Sequence, residues 1–264
     1  MHYFGLISGL PVLKPLQSPP LSFVEAKELI FQYLTDNDKE VIHHFFYQID
    51  LINFNSLAQD KPLWIEGGNL DKEGLEAWFK TGKIEDTLFG TEKQNVELTE
   101  TPPIDRLQVY WELFYKTLFS ITGSSFSELI IFEISLKNFF KGHLERIIKS
   151  EPGIHFIEGG SFDRFAYNKL QIGDIQAEHP FLASVLGAFD MKDPFDRELK
   201  ILEQKWKFYD HNTFFEPFSL NALFCWLLKL LDLHKWQLNN AEKGAMLINE
   251  IESELLQKTQ SKFI

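Results

Sequence analysis

The strongest helical signal in the chain lies at residues 125–147, which read SFSELIIFEISLKNFFKGHLERI. Ser125 and Glu128 have the spacing of a capping box, in which two side chains satisfy backbone groups at the start of a helix. Apolar residues then recur at three- and four-residue intervals in one stripe: Leu129, Phe132, Leu136, Phe140, Leu144 and Ile147. This spacing predicts an amphipathic helix that packs its stripe against a core.

Further helix starts flank this stretch on both sides. Ser22 and Thr35 each stand three positions before an acidic residue, which predicts two short capped helices. Thr101 is the expected N-cap of a helix that begins with two prolines, and Asp193 before a proline opens another. Residues 217–233 are apolar on nearly every side, which indicates a central buried helix.

The N-terminal residues carry a different pattern. The aromatic and aliphatic run Tyr3–Ile7 ends at Gly9 and Pro11, which favours a short strand or an extended segment. The expected fold class is therefore all-α with a minor extended N-terminal segment, forming one compact helical protein across residues 1–264.

Composition narrows the function classes. The formal net charge of −12 opposes nucleic acid, because binding to phosphates requires clustered Lys and Arg, and it favours a protein partner. Cys225 is the only cysteine and is expected to be buried and inert in a reducing compartment. With no basic leader and no apolar run of spanning length, we expect a cytoplasmic protein with no direct membrane insertion.

No pattern of catalytic, cofactor-binding or metal-binding residues stands out. His43 and His44 are adjacent, whereas a helical zinc site requires ligands about four residues apart. The spacing of Asp190, Asp193 and Asp196 is similar to that of Mg-binding clusters, but helix capping and the helix dipole explain these residues better. We expect a protein that is not an enzyme and binds no cofactor.

Comparing the chain with itself reveals an internal repeat. Tyr47–Phe54, YQIDLINF, aligns without gaps on Phe132–Phe139, FEISLKNF. Downstream of each copy, Trp64–Lys72, WIEGGNLDK, aligns on Phe156–Arg164, FIEGGSFDR. Two matches in the same order predict a duplication, with units at roughly residues 20–120 and 121–264.

The repeated residues have a readable physical sense. Two adjacent glycines let the chain take a positive φ or approach a neighbouring segment closely. Asn53 and Asn138 lie on otherwise apolar helix faces, where a buried amide must form hydrogen bonds. We hypothesise that each amide ties its helix to the backbone near its own Gly-Gly turn.

This motif resembles the C (or d) subunit family of V/A-type rotary ATPases, in which an acidic residue and Asn on a helix precede a Gly-Gly turn in successive units. The matching residues are Asp50, Asn53, Gly67 and Gly68 in the first unit and Glu133, Asn138, Gly159 and Gly160 in the second. Ser135 replaces the acidic residue expected three positions before Asn138. The segments Tyr3–Pro11 and Trp236–Gly244 also resemble a shorter uncharacterised bacterial family encoded beside such ATPase genes.

The resemblance implies a non-catalytic subunit that couples the central stalk to the membrane rotor ring. Its partners would be other V/A-type ATPase subunits, and the cytoplasmic chain would lie at the inner face of the cell membrane through that complex. The alternative is a helical adaptor or regulatory protein-binding module that is unrelated to the ATPase.

Overall fold

The computed structural model describes residues 3–61, 63–82, 101–148, 157–159 and 180–238, and these residues form helices and turns with no strand among them. In chain order the helices are α1 (Phe4–Gly9), α2 (Phe23–Phe31), α3 (Asp36–Ala58), α4 (Lys72–Thr81), α5 (Pro103–Thr122), a 3-10 turn (Gly123–Phe126), α6 (Ser127–Ile148), α7 (Pro180–Ala188), α8 (Pro194–Asn212) and α9 (220–238). The predicted all-α class is confirmed.

Helix α3 is 23 residues long, rather than the short helix that was predicted, and packs along α5 and α4. Helix α6 contacts α5 and α8, and α8 packs against α7. The apolar stripe of α6 is buried at Leu129, Phe132 and Leu136 and half-buried at Phe140. One continuous core, rich in aromatic rings, connects these helices.

Helix α9 lies inside this core, as its apolar sequence predicts. The ring of Phe224 lies 5.2 Å from Phe45 of α3 and 5.2 Å from Phe126 of the 3-10 turn. Trp226 donates a hydrogen bond to the carbonyl of Pro11 at 3.0 Å. Cys225 is buried, as expected, and burial raises the pKa of its thiol well above the ordinary value. Helix α9 thus connects the N-terminal segment to α3 and to the 3-10 turn before α6.

Three of the predicted N-caps form as expected. Ser22 and Glu25 make the complete capping box of α2, and the Thr35 side chain accepts from the backbone N–H of Asp38 at the start of α3. Asp193 accepts from two backbone N–H groups at the start of α8. Capping therefore accounts for Asp193, which the sequence also placed in an acidic cluster.

The predicted strand or extended segment at the N-terminus is wrong, because residues 4–9 form helix α1. Tyr3 and Leu6, three residues apart, are both buried. The Tyr3 N–H donates to the carbonyl of Phe218, and its hydroxyl donates to Asp38. These tertiary contacts outweigh the strand preference of the aromatic and β-branched residues.

Two other predicted caps are also wrong. Pro102, not Thr101, is the N-cap of α5, and the carbonyl of Thr101 instead accepts from Arg106 Nε at 2.6 Å. The Ser125 hydroxyl donates to the carbonyl of Thr122 at 2.6 Å and does not cap α6. Because the 3-10 turn follows α5 directly, a carbonyl in the last turn of α5 is within reach of this hydroxyl.

The helical stretch Asp105–Gly142 is long and apolar enough to cross a membrane by length and composition alone. Gly123, at φ 58, interrupts it between α5 and α6. Its large side chains at Tyr110, Phe114 and Phe132 are buried inside the protein. Core helices of soluble proteins have the same composition, and the absence of membrane insertion stays a prediction.

Candidate functional site

The first repeated motif forms a clamp between α3 and the turn that precedes α4. The side chain of Asn53 is buried on α3 and faces the backbone of Ile65. Its Nδ2 donates to the Ile65 carbonyl at 2.8 Å, and its Oδ1 accepts from the Ile65 N–H at 2.8 Å. The Asn53 amide thus pairs with both the N–H and the carbonyl of Ile65, a buried residue that lies outside any helix or strand. The hydrogen bonding predicted for Asn53 is confirmed.

Asp50 strengthens the same junction one turn earlier on α3. Its carboxylate accepts from the N–H groups of Asn69 at 3.0 Å and Leu70 at 3.2 Å. Lys27 of α2 donates to the Gly68 carbonyl at 3.2 Å and to Asn69 Oδ1 at 2.9 Å. Burial raises the pKa of Asp50 to about 7, while its hydrogen bonds and Lys27 oppose that shift. This carboxylate is therefore a structural group that titrates near neutral pH.

Both glycines of the first motif are required by space, and Gly67 is also required by its conformation. Gly67 has φ 94, and a Cβ built on it would lie 2.6 Å from the Cβ of Phe23. A Cβ on Gly68 would overlap a carboxylate oxygen of Asp50. Any side chain at either position would push the turn away from α2 and α3.

The second motif repeats the asparagine clamp on α6. Asn138 is fully buried, donates to the Ile157 carbonyl at 2.8 Å and accepts from the Ile157 N–H at 2.8 Å. Ile157 precedes Gly159 by two residues, as Ile65 precedes Gly67, and Gly159 has φ 93. The hydrogen bonding predicted for Asn138 is thus also confirmed. Gly160 lies outside the described residues, as do Lys243 and Gly244, which carry part of the resemblance.

Glu133, the acidic residue of the second motif, does not occupy the position of Asp50. It lies five residues before Asn138 and accepts a hydrogen bond from the Tyr209 hydroxyl of α8 at 2.6 Å. In the repeat alignment its counterpart is Gln48, and the two side chains line one cavity between the helices. Glu133 therefore joins α6 to α8.

This cavity has a volume of about 280 Å³, is partly open to solvent and is lined by residues of α3, α6, α8 and α9. Three lysines line it: Lys137, Lys205 and Lys235. Lys205 pairs with Asp232 at 2.6 Å, and Asp232 also accepts from the Trp206 indole at 3.2 Å. Sequence reasoning missed the cavity, because its charged residues come from three helices far apart in the chain.

A second feature that was missed is the turn after α8. Phe214 and Phe215 are 72% and 90% exposed, and their rings pack edge to face on each other at 5.2 Å. Most other large aromatic side chains of the described residues are at least partly buried. Two adjacent exposed rings at the tip of a turn form a surface suited to contact with an apolar partner.

The structure does not gather the other candidate residues into a site. Asp190, Asp193 and Asp196 are exposed on the surface, and Asp193 caps α8. His43 is exposed, whereas His44 is buried, stacks on Phe114 and contacts the Phe114 carbonyl at 2.8 Å. Burial lowers the pKa of His44 to about 4, so its ring is neutral at neutral pH.

Together, these features define an all-α protein in which buried polar side chains join helices to neighbouring segments. The chain belongs to the family described as Protein of unknown function (DUF2764), whose model matches residues 1–99 and 167–258. The unmatched stretch between these ranges contains α5, α6 and the second motif. No curated protein matches the chain. No solved structure matches it either.

Proposed function

We propose that this protein is a non-catalytic component of a V/A-type rotary ATPase, similar to its C (or d) subunit, that couples the central stalk to the membrane rotor ring. The observation that carries the proposal is the repeated clamp: Asn53 and Asn138 each hold a backbone segment two residues before a glycine of positive φ. This is the motif on which the resemblance to that subunit family rests.

The matching geometry also supports a duplication of two helical units. The N–O distances of the clamps are the same, and φ is 94 at Gly67 and 93 at Gly159. The shared hydrogen bonds, and the shared conformation of a turn 12 to 19 residues away, favour a duplication over chance similarity between two apolar helices. We therefore treat α3 and α6 as equivalent helices of two units.

The two asparagine clamps are suited to a subunit that transmits force between its partners. Fully satisfied buried polar networks fix one arrangement of the groups they join, because any movement leaves a donor or an acceptor unpaired. Asn53, Asp50 and Lys27 join α2, α3 and the following turn, and Asn138 and Glu133 join α6 to its turn and to α8. The helices joined in this way would rotate together as a rigid unit when force is applied.

Binding between proteins is the second element of the proposal. The charge of −12 favours a basic partner surface, and it steers assembly more than it adds affinity. The exposed Phe214 and Phe215 offer an apolar contact at the end of α8. In this proposal the chain resides in the cytoplasm and reaches the inner face of the membrane only through the complex.

Copurification tests the proposal and separates it from the alternative, a helical adaptor unrelated to the ATPase. The full chain, tagged in its own host, is isolated from detergent-solubilised membranes, and the bound proteins are identified by mass spectrometry. We expect stalk and rotor subunits of a V/A-type ATPase to be recovered with it. Recovery of a different set of proteins, with no ATPase subunits, would support the adaptor instead.

A double variant makes this experiment sharper. Phe214→Ser with Phe215→Ser removes only exposed rings, so folding should be unaffected while recovery of the partner falls about tenfold or more. Val24→Ser with Tyr33→Ser is the matched control, because these side chains are 41% and 58% exposed on and just after α2. Equal recovery with both double variants would exclude the phenylalanine turn as the contact.

A further inference from the structure

The turn between α8 and α9 carries aromatic side chains that the core does not bury. Phe214 and Phe215 project from it, 72% and 90% exposed, with their rings edge to face at 5.2 Å. Burying both rings in a complex would remove on the order of 300 Å² of apolar surface from water. Aromatic side chains of this kind contribute much of the binding energy at protein interfaces.

The exposed aromatic surface continues onto α1. Phe4 is 56% exposed, and its ring lies 4.8 Å from the ring of Phe218, edge to face. The Tyr3 N–H donates to the Phe218 carbonyl at 3.2 Å, which holds α1 against the turn. Phe218 follows Phe215 by three residues, so their Cα atoms are at most about 11 Å apart. We call Phe4, Phe214, Phe215 and the half-buried Phe218 the aromatic patch.

Hydrogen bonds fix the turn that carries the patch. The Asn221 side chain donates to Asn212 Oδ1 at 2.8 Å across the turn. Within it, the Glu216 N–H donates to the Thr213 carbonyl and the Ser219 N–H donates to the Glu216 carbonyl, both at 3.1 Å. The rings are therefore held at the surface, and a surface that is ordered before binding loses less conformational entropy when a partner binds.

The charged groups beside the aromatic patch are acidic. Glu216 is exposed within the turn, and Glu128, exposed at the start of α6, accepts a hydrogen bond from Asn212 at 3.3 Å. Asp210 in the last turn of α8 already pairs with Lys229 at 2.5 Å. In the described part of the chain, neither glutamate takes part in an ion pair. Such a rim repels anionic lipid headgroups and attracts Lys and Arg side chains.

We propose that the aromatic patch is a docking surface for a basic partner protein. A segment of that partner places apolar side chains against Phe4, Phe214 and Phe215, and Lys or Arg side chains beside Glu216 and Glu128. This inference rests on the proposed function as a protein-binding subunit, and it adds the chemistry of the partner and the contribution of α1. The net charge of −12 opposes pairing of two copies of this chain, so the partner is a different protein.

Site-specific photocrosslinking of the full chain in its own host tests the docking surface. Benzoylphenylalanine is introduced in place of Phe4 or Phe215, and in place of Tyr33, which is 58% exposed, as the matched control. Crosslinked peptides are sequenced by mass spectrometry. We expect positions 4 and 215 to crosslink to one partner, in peptides with apolar residues flanked by Lys or Arg. Position 33 should give about tenfold less of this product.

The crosslinked product separates this inference from the ATPase proposal. A basic stalk or rotor subunit at both positions supports the two together, whereas a basic protein from outside the ATPase supports the docking surface and contradicts the ATPase role. Crosslinks from position 215 to a second copy of this chain, to lipid or to an acidic peptide overturn the docking surface, as does no crosslink there. A crosslink at position 215 without one at position 4 overturns the contribution of α1.

A charge-reversal variant tests the acidic rim. Glu216→Lys leaves the rings in place and should lower the crosslink yield from position 215 about fivefold or more, because like charges then face each other. Glu73→Lys is the control, since Glu73 is exposed on α4, and its yield should equal that of the wild-type chain. Equal yields with both variants would contradict the predicted basic character of the partner.

Sedimentation with phosphatidylcholine vesicles tests the purified chain against insertion of the rings into a bilayer. We expect the wild-type chain to stay in the supernatant, because the acidic rim surrounds the rings with charge that a bilayer does not accommodate. Sedimentation with the vesicles that is lost in the variant Phe214→Ser with Phe215→Ser would overturn the proposal and identify the patch as a membrane contact.

Discussion

The two motif-bearing junctions share one clamp but differ in how tightly the chain is held around it. At the first junction, Asn53 is joined by Asp50 and Lys27, and the turn lies so close that neither Gly67 nor Gly68 can accept a Cβ. At the second, the one atom of the described residues that a Cβ on Gly159 would meet is Ile134 Cδ1, at an ordinary 3.8 Å.

The comparison distinguishes the features that both junctions share from the features of the first junction alone. The asparagine and a glycine of positive φ occur at both junctions and form the shared part of the motif. Among the described residues, a carboxylate bound to the Gly-Gly turn and the close approach of that turn to α2 are seen at the first junction; at the second, Ser135 is the counterpart of Asp50. Substitutions of the two asparagines should therefore lower the free energy of unfolding by similar amounts, whereas substitutions of Gly67 and Gly159 should lower it by different amounts.

The largest difference is expected between Gly67→Ala and Gly159→Ala. Both place a side chain at a φ that L-residues rarely adopt, but only Gly67→Ala also overlaps Phe23 and its backbone. We expect Gly67→Ala to lower the free energy of unfolding by about 3–5 kcal/mol and Gly159→Ala by about 1–2 kcal/mol. Urea unfolding followed by circular dichroism measures both values. Equal losses would show that the two turns are equally tight.

The asparagines should behave alike. Asn53→Ala and Asn138→Ala each leave a buried N–H and a buried carbonyl without a partner, at Ile65 and Ile157 respectively. Each should lower the free energy of unfolding by about 2–4 kcal/mol, and the two values should agree within about 1 kcal/mol.

The control for this pair is Asn55→Ala, because the Asn55 side chain is half-buried on α3 and accepts a hydrogen bond from the side chain of Gln59. It should cost less than about 0.5 kcal/mol, as surface substitutions generally do. A loss at Asn138 that is no larger than at Asn55 would mean that the second clamp contributes little, and the equivalence of α3 and α6 would lose its main support.

The asparagine clamps were predictable from sequence because the amide and the backbone that pairs with it both belong to a motif that occurs twice in the chain. A buried amide must find backbone partners, and the recurrence of the motif indicated where they are, so Asn53 and Asn138 could be assigned to segments beside their Gly-Gly turns. The caps at Ser22, Thr35 and Asp193 were predictable for the same reason, since each depends on two or three successive residues.

The features that sequence reasoning missed depend on how helices that are distant in the chain orient and pack against one another. Lys137, Lys205 and Lys235 lie on three different helices, and only the packing of α6, α8 and α9 brings them to one cavity. Likewise, α1 forms because Tyr3 contacts Phe218, more than 200 residues away. Periodicity contains no information about such contacts.

The smallest effect we expect is a pH dependence confined to the first junction. The pKa of Asp50 is raised to about 7, so the folded protein retains a proton there that the unfolded chain releases near the ordinary value of 3.8. The stability from this group is fully present below pH 3.8 and is lost as pH rises towards 7, because folding then forces a charge into a buried position.

Relative to Asp50→Asn, the wild-type chain should lose on the order of 2 kcal/mol between pH 5 and 7.5. Urea unfolding at several pH values measures this loss, with the exposed Asp36→Asn as control. If the wild type and Asp50→Asn differ by the same amount at every pH, Asp50 is already ionised in the folded state. Its hydrogen bonds to Asn69 and Leu70, together with Lys27, would then outweigh its burial.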